Sequence, residues 1–229
     1  LKAVGQNPIS ALVDITNYIT IALNRPLHVF DADKLKGNIH VRAAKNGEKL
    51  EALNDKTYDL ADGMTAVCDD SGVLGLGGII GGVPSSVTED TQNVYLEVAL
   101  FNPVRTAMTG QKLQIDSDAR YRFERGIDPA FALDGAEFAT QMIIDLCGGE
   151  ASSLAIAGKA PEAAQVISYA PARLKVLGGM DLPEERQEAI LTALGFTVAK
   201  EGKAWNVGVP SWRSDIDGSA DLVEEILRI

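Results

Sequence analysis

The chain has 229 residues, 46% of them hydrophobic and 23% charged, and this length and balance let a globular protein bury roughly 70% of its unfolded surface. A net charge of −11 argues against a non-specific polyanion binder, because neutralising phosphates needs clustered Lys and Arg. Two cysteines (Cys68, Cys147) and two histidines (His28, His40) supply neither a disulfide framework nor a His/Cys zinc set, so a reducing, cytoplasmic setting is expected. No apolar run is long enough to span a bilayer, so no membrane partner is expected. The chain begins at Leu1 in core-like sequence and reads as a piece of a longer protein.

In chain order, Ile9, Leu12, Val13, Ile19 and Leu23 predict a helix over 9–23 with one buried face. Asn24-Arg25-Pro26 breaks it, and 27–31 reads as a short strand carrying His28 among apolar neighbours. Such a histidine is either a core residue or a catalyst. From 38 to 96 the pattern is β, with turns at Gly47, Asp62-Gly63 and Asp69–Gly72. The glycine run 75–82 lacks the spacing of a dinucleotide fingerprint, since Ile80 stands where a glycine is required. It also lacks the Gly-Lys-Ser/Thr of a phosphate loop. Its glycines suit positive φ and close backbone approach to a neighbour or small ligand.

Residues 94–101 read as a buried strand interrupted by Glu97, whose carboxylate must be paired, solvated by a cavity or turned to an exposed edge. A helix follows over 104–115. In 117–129, Arg120, Arg122 and Arg125 interleave with Tyr121 and Phe123, which suits either nucleic-acid contact or internal ion pairs around packed rings. Pro129 opens a helix to 147 with Phe131, Leu133, Phe138, Met142, Ile143 and Leu146 as its apolar set and Gly148-Gly149 as its stop. Residues 157–164 are linker-like.

The remainder reads β-α-β-β-α. It comprises a strand at 166–169, a helix at 183–194, a hairpin around Glu201-Gly202-Lys203 and a last helix from Ser219. On that helix Asp221, Glu224 and Glu225 are spaced to share one face, with Asp215 just upstream. Oxygen-only ligands suit magnesium, and a solvated acidic first turn is the competing reading. The fold class is therefore α+β or mixed α/β. Residues 1–160 would form a module of mixed sheets and packed helices. Residues 161–229 would form a small α+β, winged-helix-like module truncated at its C-terminal end.

Several stretches together resemble one family. DITNY (14–18), RPLHVFD (25–31), GGIIGG (77–82), LEVA (96–99), SDARYRFERGIDP (117–129), PSWRSD (210–215) and DLVEEILR (221–228) stand in the order of the beta subunit of bacterial phenylalanyl-tRNA synthetases. The resemblance implies a module that hydrolyses tyrosine mischarged onto the phenylalanine tRNA. By the same likeness, the pocket residues are His28, Glu97, Ser117 and Ala119, with Thr16, Asn17, Gly77, Gly78 and Asp118 binding substrate.

Asp215, Asp221, Glu224 and Glu225 would hold magnesium shared with the alpha subunit, in an enzyme of two alpha and two beta chains whose ATP is bound elsewhere. Glu97 would accept the tyrosine hydroxyl, and a site built on such a bond rejects the analogue lacking it by roughly 10⁴–10⁵-fold. Ala119 leaves room for the ring, and the Gly77-Gly78 backbone would approach the aminoacyl group. No covalent nucleophile is apparent, so positioned water is the expected attacker. The other reading is a non-catalytic docking module. Ser117 departs from the commoner threonine but keeps the hydroxyl.

Overall fold

A computed structural model describes residues 1–159, 161 and 165–229, so the expected linker at 157–164 lies partly outside the described residues. The chain divides into two units, Leu1–Ile127 with Phe131–Lys159, and Asp128–Ala130 with Ala160–Ile229.

In the first unit the Ser10 hydroxyl caps helix α1 (Ala11–Ala22), satisfying the Val13 N–H, and the helix buries Ile15, Thr16, Ile19 and Thr20. Strand β1 (His28–Asp31) follows. Strands β2 (His40–Ala43), β3 (Lys49–Glu51), β4 (Thr57–Asp59), β5 (Thr65–Asp69), β6 (Gly72–Leu76) and β7 (Ile80–Gly81) come next. Of these, β2-β5-β6-β7 form one sheet and β3-β4 a separate hairpin. Leu50, Leu60, Met64, Ala66, Cys68, Leu76, Ile79 and Ile115 form the core between them.

Strand β8 (Val94–Glu97) returns to pair with β1 in a two-stranded ribbon, and every strand pair among the described residues is antiparallel. The sheets are thus not of mixed direction, and the class is α+β. Strand β8 is shorter than the apolar run 94–101 suggests, and none of 94–101 is fully buried. The run ends without ladder partners, at Asn102-Pro103. There the Asn102 carboxamide accepts from the Arg105 N–H and starts helix α2 (Pro103–Leu113).

A short helix α3 (Asp118–Phe123) is capped by Ser117. Helix α4 (Ala132–Cys147) starts three residues beyond Pro129, and of the predicted apolar set Met142 and Ile143 pack inward against the α1 cluster. Gly135, Ala136 and Ala139 are buried, Ala139 meeting Ile15 and Ile19 of α1 in one cluster, while Leu133, Phe138 and Leu146 are exposed. Small side chains let the two helix axes approach, which a count of large apolar residues does not register.

The second unit runs β9 (Gln165–Tyr169), α5 (Ala172–Gly178), α6 (Glu184–Ala193), β10 (Thr197–Glu201), β11 (Ala204–Val209) and α7 (Ser219–Leu227). Its sheet order is β10-β11-β9. Helix α5 is absent from the sequence reading: it has seven residues and buries only Leu174. Trp205, Tyr169, Phe196, Leu191, Leu222 and Ile226 form this unit's core, where the Tyr169 hydroxyl donates to Gln187 Oε1 at 2.6 Å.

Candidate functional site

Antiparallel pairing places His28 of β1 directly opposite Glu97 of β8. Facing residues of such a pair project from the same side of the ribbon with Cβ atoms about 5 Å apart. The same side carries Phe30 opposite Tyr95, with the His28 and Phe30 rings edge to face at 4.4 Å. The other side sends Val29 inward and places Leu96 on the α1–α4 cluster. The His28 side is also packed, since Phe30 forms a core cluster with Val67 and Leu74.

The two ionisable groups are both kept from water. Burial lowers the His28 pKa to about 4, so the imidazole is neutral, and its buried Nε2 has no hydrogen-bond partner among the described residues. Burial raises the Glu97 carboxyl to about 7, and no cation compensates it among the described residues. Glu97 as a whole residue is half-buried.

The glycine run divides its work in a way the sequence reading did not anticipate. Added Cβ atoms at Gly77 and Gly78 would meet the Phe101 ring at 2.5 Å and the Phe123 ring at 3.0 Å, respectively. These two glycines make room for an aromatic pair whose centroids lie 5.1 Å apart. Gly81 is the one that touches the site: a Cβ there would lie 2.4 Å from His28 Cε1 and 2.8 Å from Nε2. The second Gly-Gly of GGIIGG was the available signal for it.

Ser117 is tied to the same loop, its Oγ donating to the Ile79 carbonyl at 2.7 Å while accepting from the Arg120 N–H. Ser117 and Asp118 line an open cleft of about 320 Å³ together with Asp116 and Tyr121. His28, Glu97 and Ala119 are not among the lining residues of that cleft. Thr16 is buried on α1, donating to the Val13 carbonyl, and Asn17 and Ala119 are half-buried. The loop 77–82 thus joins two groups of expected site residues, His28 with Glu97 at one end and Ser117 with Asp118 at the other.

The four carboxylates expected to hold magnesium are not gathered for it. Asp215 is clasped by Arg213 through two bonds of 2.8 and 2.7 Å, and Glu225 Oε2 accepts from Arg213 and Arg228, both at 2.8 Å. Asp221 turns back to the Gly218 and Asp217 N–H groups and starts α7. Glu224 is exposed whereas Glu225 is buried, so the two do not share a face. Among the described residues no group of three or more His, Cys, Asp or Glu side chains is placed to hold a metal. Arginine here meets the like-charge repulsion that spacing alone suggested a metal would meet. The residues present do not fit the ion.

Arg213 holds both carboxyls below their ordinary values, and the guanidinium is raised in turn. No helix of the described residues is long and apolar enough to cross a membrane.

Comparison with known proteins agrees with the sequence resemblance. Residues 1–148 match the B3/4 domain family, and residues 167–229 match the tRNA synthetase B5 domain. The chain is 53% identical over 229 residues to the phenylalanine–tRNA ligase beta subunit of Ruegeria pomeroyi, covering all of this chain and 28% of that protein. It is 54% identical over 229 residues to the corresponding subunit of Paramagnetospirillum magneticum, covering all of this chain and 29% of that one. It therefore spans less than a third of the length of these relatives. A crystal structure of an N-terminal fragment of the phenylalanyl-tRNA synthetase beta subunit from Pyrococcus horikoshii aligns with a TM-score of 0.44 at 19% identity, over 94% of this chain and 64% of that one. The chain belongs to the B3/4 domain family, followed by a B5 domain, and along its whole length is similar to phenylalanine–tRNA ligase beta subunits.

Proposed function

We propose that residues 1–160 form a hydrolytic editing module of a phenylalanine–tRNA ligase beta subunit, removing tyrosine esterified to the phenylalanine tRNA, and that 161–229 form the small module after it. The observation that carries this reading is the pair on one ribbon face, an uncompensated carboxylate beside a neutral imidazole whose buried Nε2 has no partner. A buried polar group without a partner is costly, and a ligand that supplies the missing bond is favoured by that cost.

Ionised Glu97 accepts the phenol O–H of tyrosine, whereas a phenylalanine ring leaves the carboxylate desolvated and unmatched. His28 Nε2 accepts a hydrogen bond from water and holds it toward the ester. The water oxygen bonds to the carbonyl carbon, the bond to the ribose oxygen breaks, and that oxygen takes up a proton. Gly81 leaves the imidazole its place. A partner alpha subunit and the tRNA come with this reading. ATP and magnesium use belongs to the ligase as a whole and is assigned to no residue of this chain.

The docking-module alternative draws on Leu133, Phe138 and Leu146, which α4 leaves exposed. Glu97→Ala separates the two. In the full-length ligase it is expected to slow release of tyrosine from tyrosyl-tRNA by on the order of 100-fold or more, while leaving phenylalanyl-tRNA formation unchanged. Tyrosine release at the wild-type rate would sink the editing reading.

A further inference from the structure

The segment 120–125 was open to two readings, nucleic-acid contact or internal ion pairs, and the fold sorts its residues one by one. Arg120 donates to Glu124 at 2.9 Å and to the Ile115 carbonyl at 2.6 Å. Arg122 donates to the Asp118 carboxylate and carbonyl at 2.9 Å, and Phe123 is buried. Tyr121 is different: it stays 54% exposed, with the Arg125 guanidinium carbon 3.7 Å from its ring centroid. Arg125 is fixed in that position by bonds to Glu124 at 2.7 Å and to the Tyr121 carbonyl at 2.8 Å. An exposed ring with a guanidinium already seated over it is a prepared stacking surface, because little further ordering is needed when a third plane is added.

The ring also borders the cleft lined by Asp116, Ser117 and Asp118. Both Asp118 oxygens are in use, by Arg122 and Gln6, whereas Asp116 is exposed and has no hydrogen bond among the described residues. A cleft of this sign repels phosphates but accepts N–H and O–H donors. That combination suits a base and ribose at a chain end better than an RNA backbone.

We propose that Tyr121 and Arg125 form a stacking platform for the terminal nucleoside of a single-stranded RNA, with Asp116 accepting from its amino or ribose hydroxyl hydrogens. The proposal deepens the editing reading and takes the RNA from it. Ser117, on the cleft wall, is bonded to Ile79, two residues before the Gly81 that abuts the His28 ring, so a nucleoside held at the cleft lies beside the loop that packs on His28. Affinity on this platform comes from stacking rather than from charge.

The test uses the 229-residue chain and a deacylated, fluorescein-labelled ACCA tetranucleotide, followed by anisotropy. Tyr121→Ala is expected to weaken binding on the order of tenfold, with Tyr121→Phe close to wild type. Raising salt from about 50 to about 200 mM should change the wild-type affinity by less than about threefold, the response of a single phosphate contact. Absence of binding, equal losses in the Ala and Phe variants, wild-type binding by Tyr121→Ala, or a steep salt dependence would each overturn the platform. Because the oligonucleotide carries no ester, the outcome is independent of Glu97. If Glu97→Ala leaves hydrolysis intact while Tyr121→Ala loses RNA, the editing reading fails and the platform stands.

Discussion

Two glutamates with little access to water, one in each unit, are treated in opposite ways. Glu225 sits at the core of the second unit with Arg213 and Arg228 on one of its oxygens, and its carboxyl is held below the ordinary range. Glu97 sits on the β1–β8 ribbon beside a neutral imidazole, and burial lifts its carboxyl to about 7. A carboxylate closed by arginines has its bonds already and serves the fold. One left uncompensated is available to a ligand, and its cost to the fold is the mark of that availability. Glu97 stands alone in an apolar strand whereas Glu225 follows Glu224 in an acidic helix, and neither setting reveals the arginines that close the second.

The contrast is most sharply tested by opening the closed carboxylate. Arg213→Met should destabilise the second unit by about 3 kcal/mol or more, because it strips a buried carboxylate of its main partner. For a unit of this size that is a fall in melting temperature of more than about 10 °C. Adding Glu225→Met should recover most of the loss. Calorimetry showing a wild-type melting temperature for the single variant would remove the basis of the comparison.

At the open carboxylate, the next largest effect should follow Gly81→Ala, whose methyl must displace the His28 ring. A cost of about 1–3 kcal/mol is expected together with loss of ester hydrolysis. Combining it with His28→Ala should return the stability but not the activity. A double-mutant cycle with no coupling would show that the ring is not where its contact with Gly81 requires.

Titration gives a third test. Glu97 has a folded pKa near 7 and an ordinary carboxyl value of 4.5 when unfolded, so between these the folded chain binds more protons and stability falls as pH rises. His28, lowered to about 4 from 6.5, acts in the opposite sense, adding stability as pH rises between those values. Glu97→Gln removes only the first contribution. The variant should therefore gain on wild type by about 1–3 kcal/mol between pH 5 and pH 8, read from urea midpoints. A constant difference would mean that Glu97 titrates like an exposed carboxyl. The proposed editing activity would then show a preference for tyrosyl over phenylalanyl ester that grows over the same range, as Glu97 ionises into a better acceptor.

The smallest effect concerns the metal. Millimolar magnesium should move the melting temperature of the second unit by less than about 1 °C, since an ion that binds only the folded state would raise it by mass action. A clear rise, abolished by Glu225→Gln, would put magnesium back on these residues.

Much of the architecture was legible because its signals are local. The helix end before Asn24-Arg25-Pro26, the stop at Gly148 and the hairpin around Gly202 each depend on neighbours a few residues away. His28 and Glu97 could be singled out because polar groups in apolar strands are conspicuous. What stayed hidden depends on partners distant in sequence. Gly77 and Gly81 look alike until Phe101 and His28 are placed beside them. The inner face of α4 centres on Gly135, Ala136 and Ala139, so of its larger apolar residues Met142 and Ile143 point inward while Leu133, Phe138 and Leu146 do not. Helix α5 was too short for any periodicity, although Pro171 before it and the left-handed Gly179 after it were usable marks. The arginine that closes Glu225 stands inside PSWRSD, twelve residues upstream of it.

The β1–β8 ribbon also sets when the site can exist. All of β2 to β7 is threaded between its two strands, so His28 has no opposite number until Glu97 has been synthesised and the intervening sheet has brought it back. Pairings of such long sequence separation form late in folding, because the loop must close before the contact stabilises it. A nascent or locally opened chain would therefore keep its helices and hairpins while lacking the paired residues altogether. If the first unit edits as proposed, hydrolysis would then report on its complete folding more stringently than helix content does.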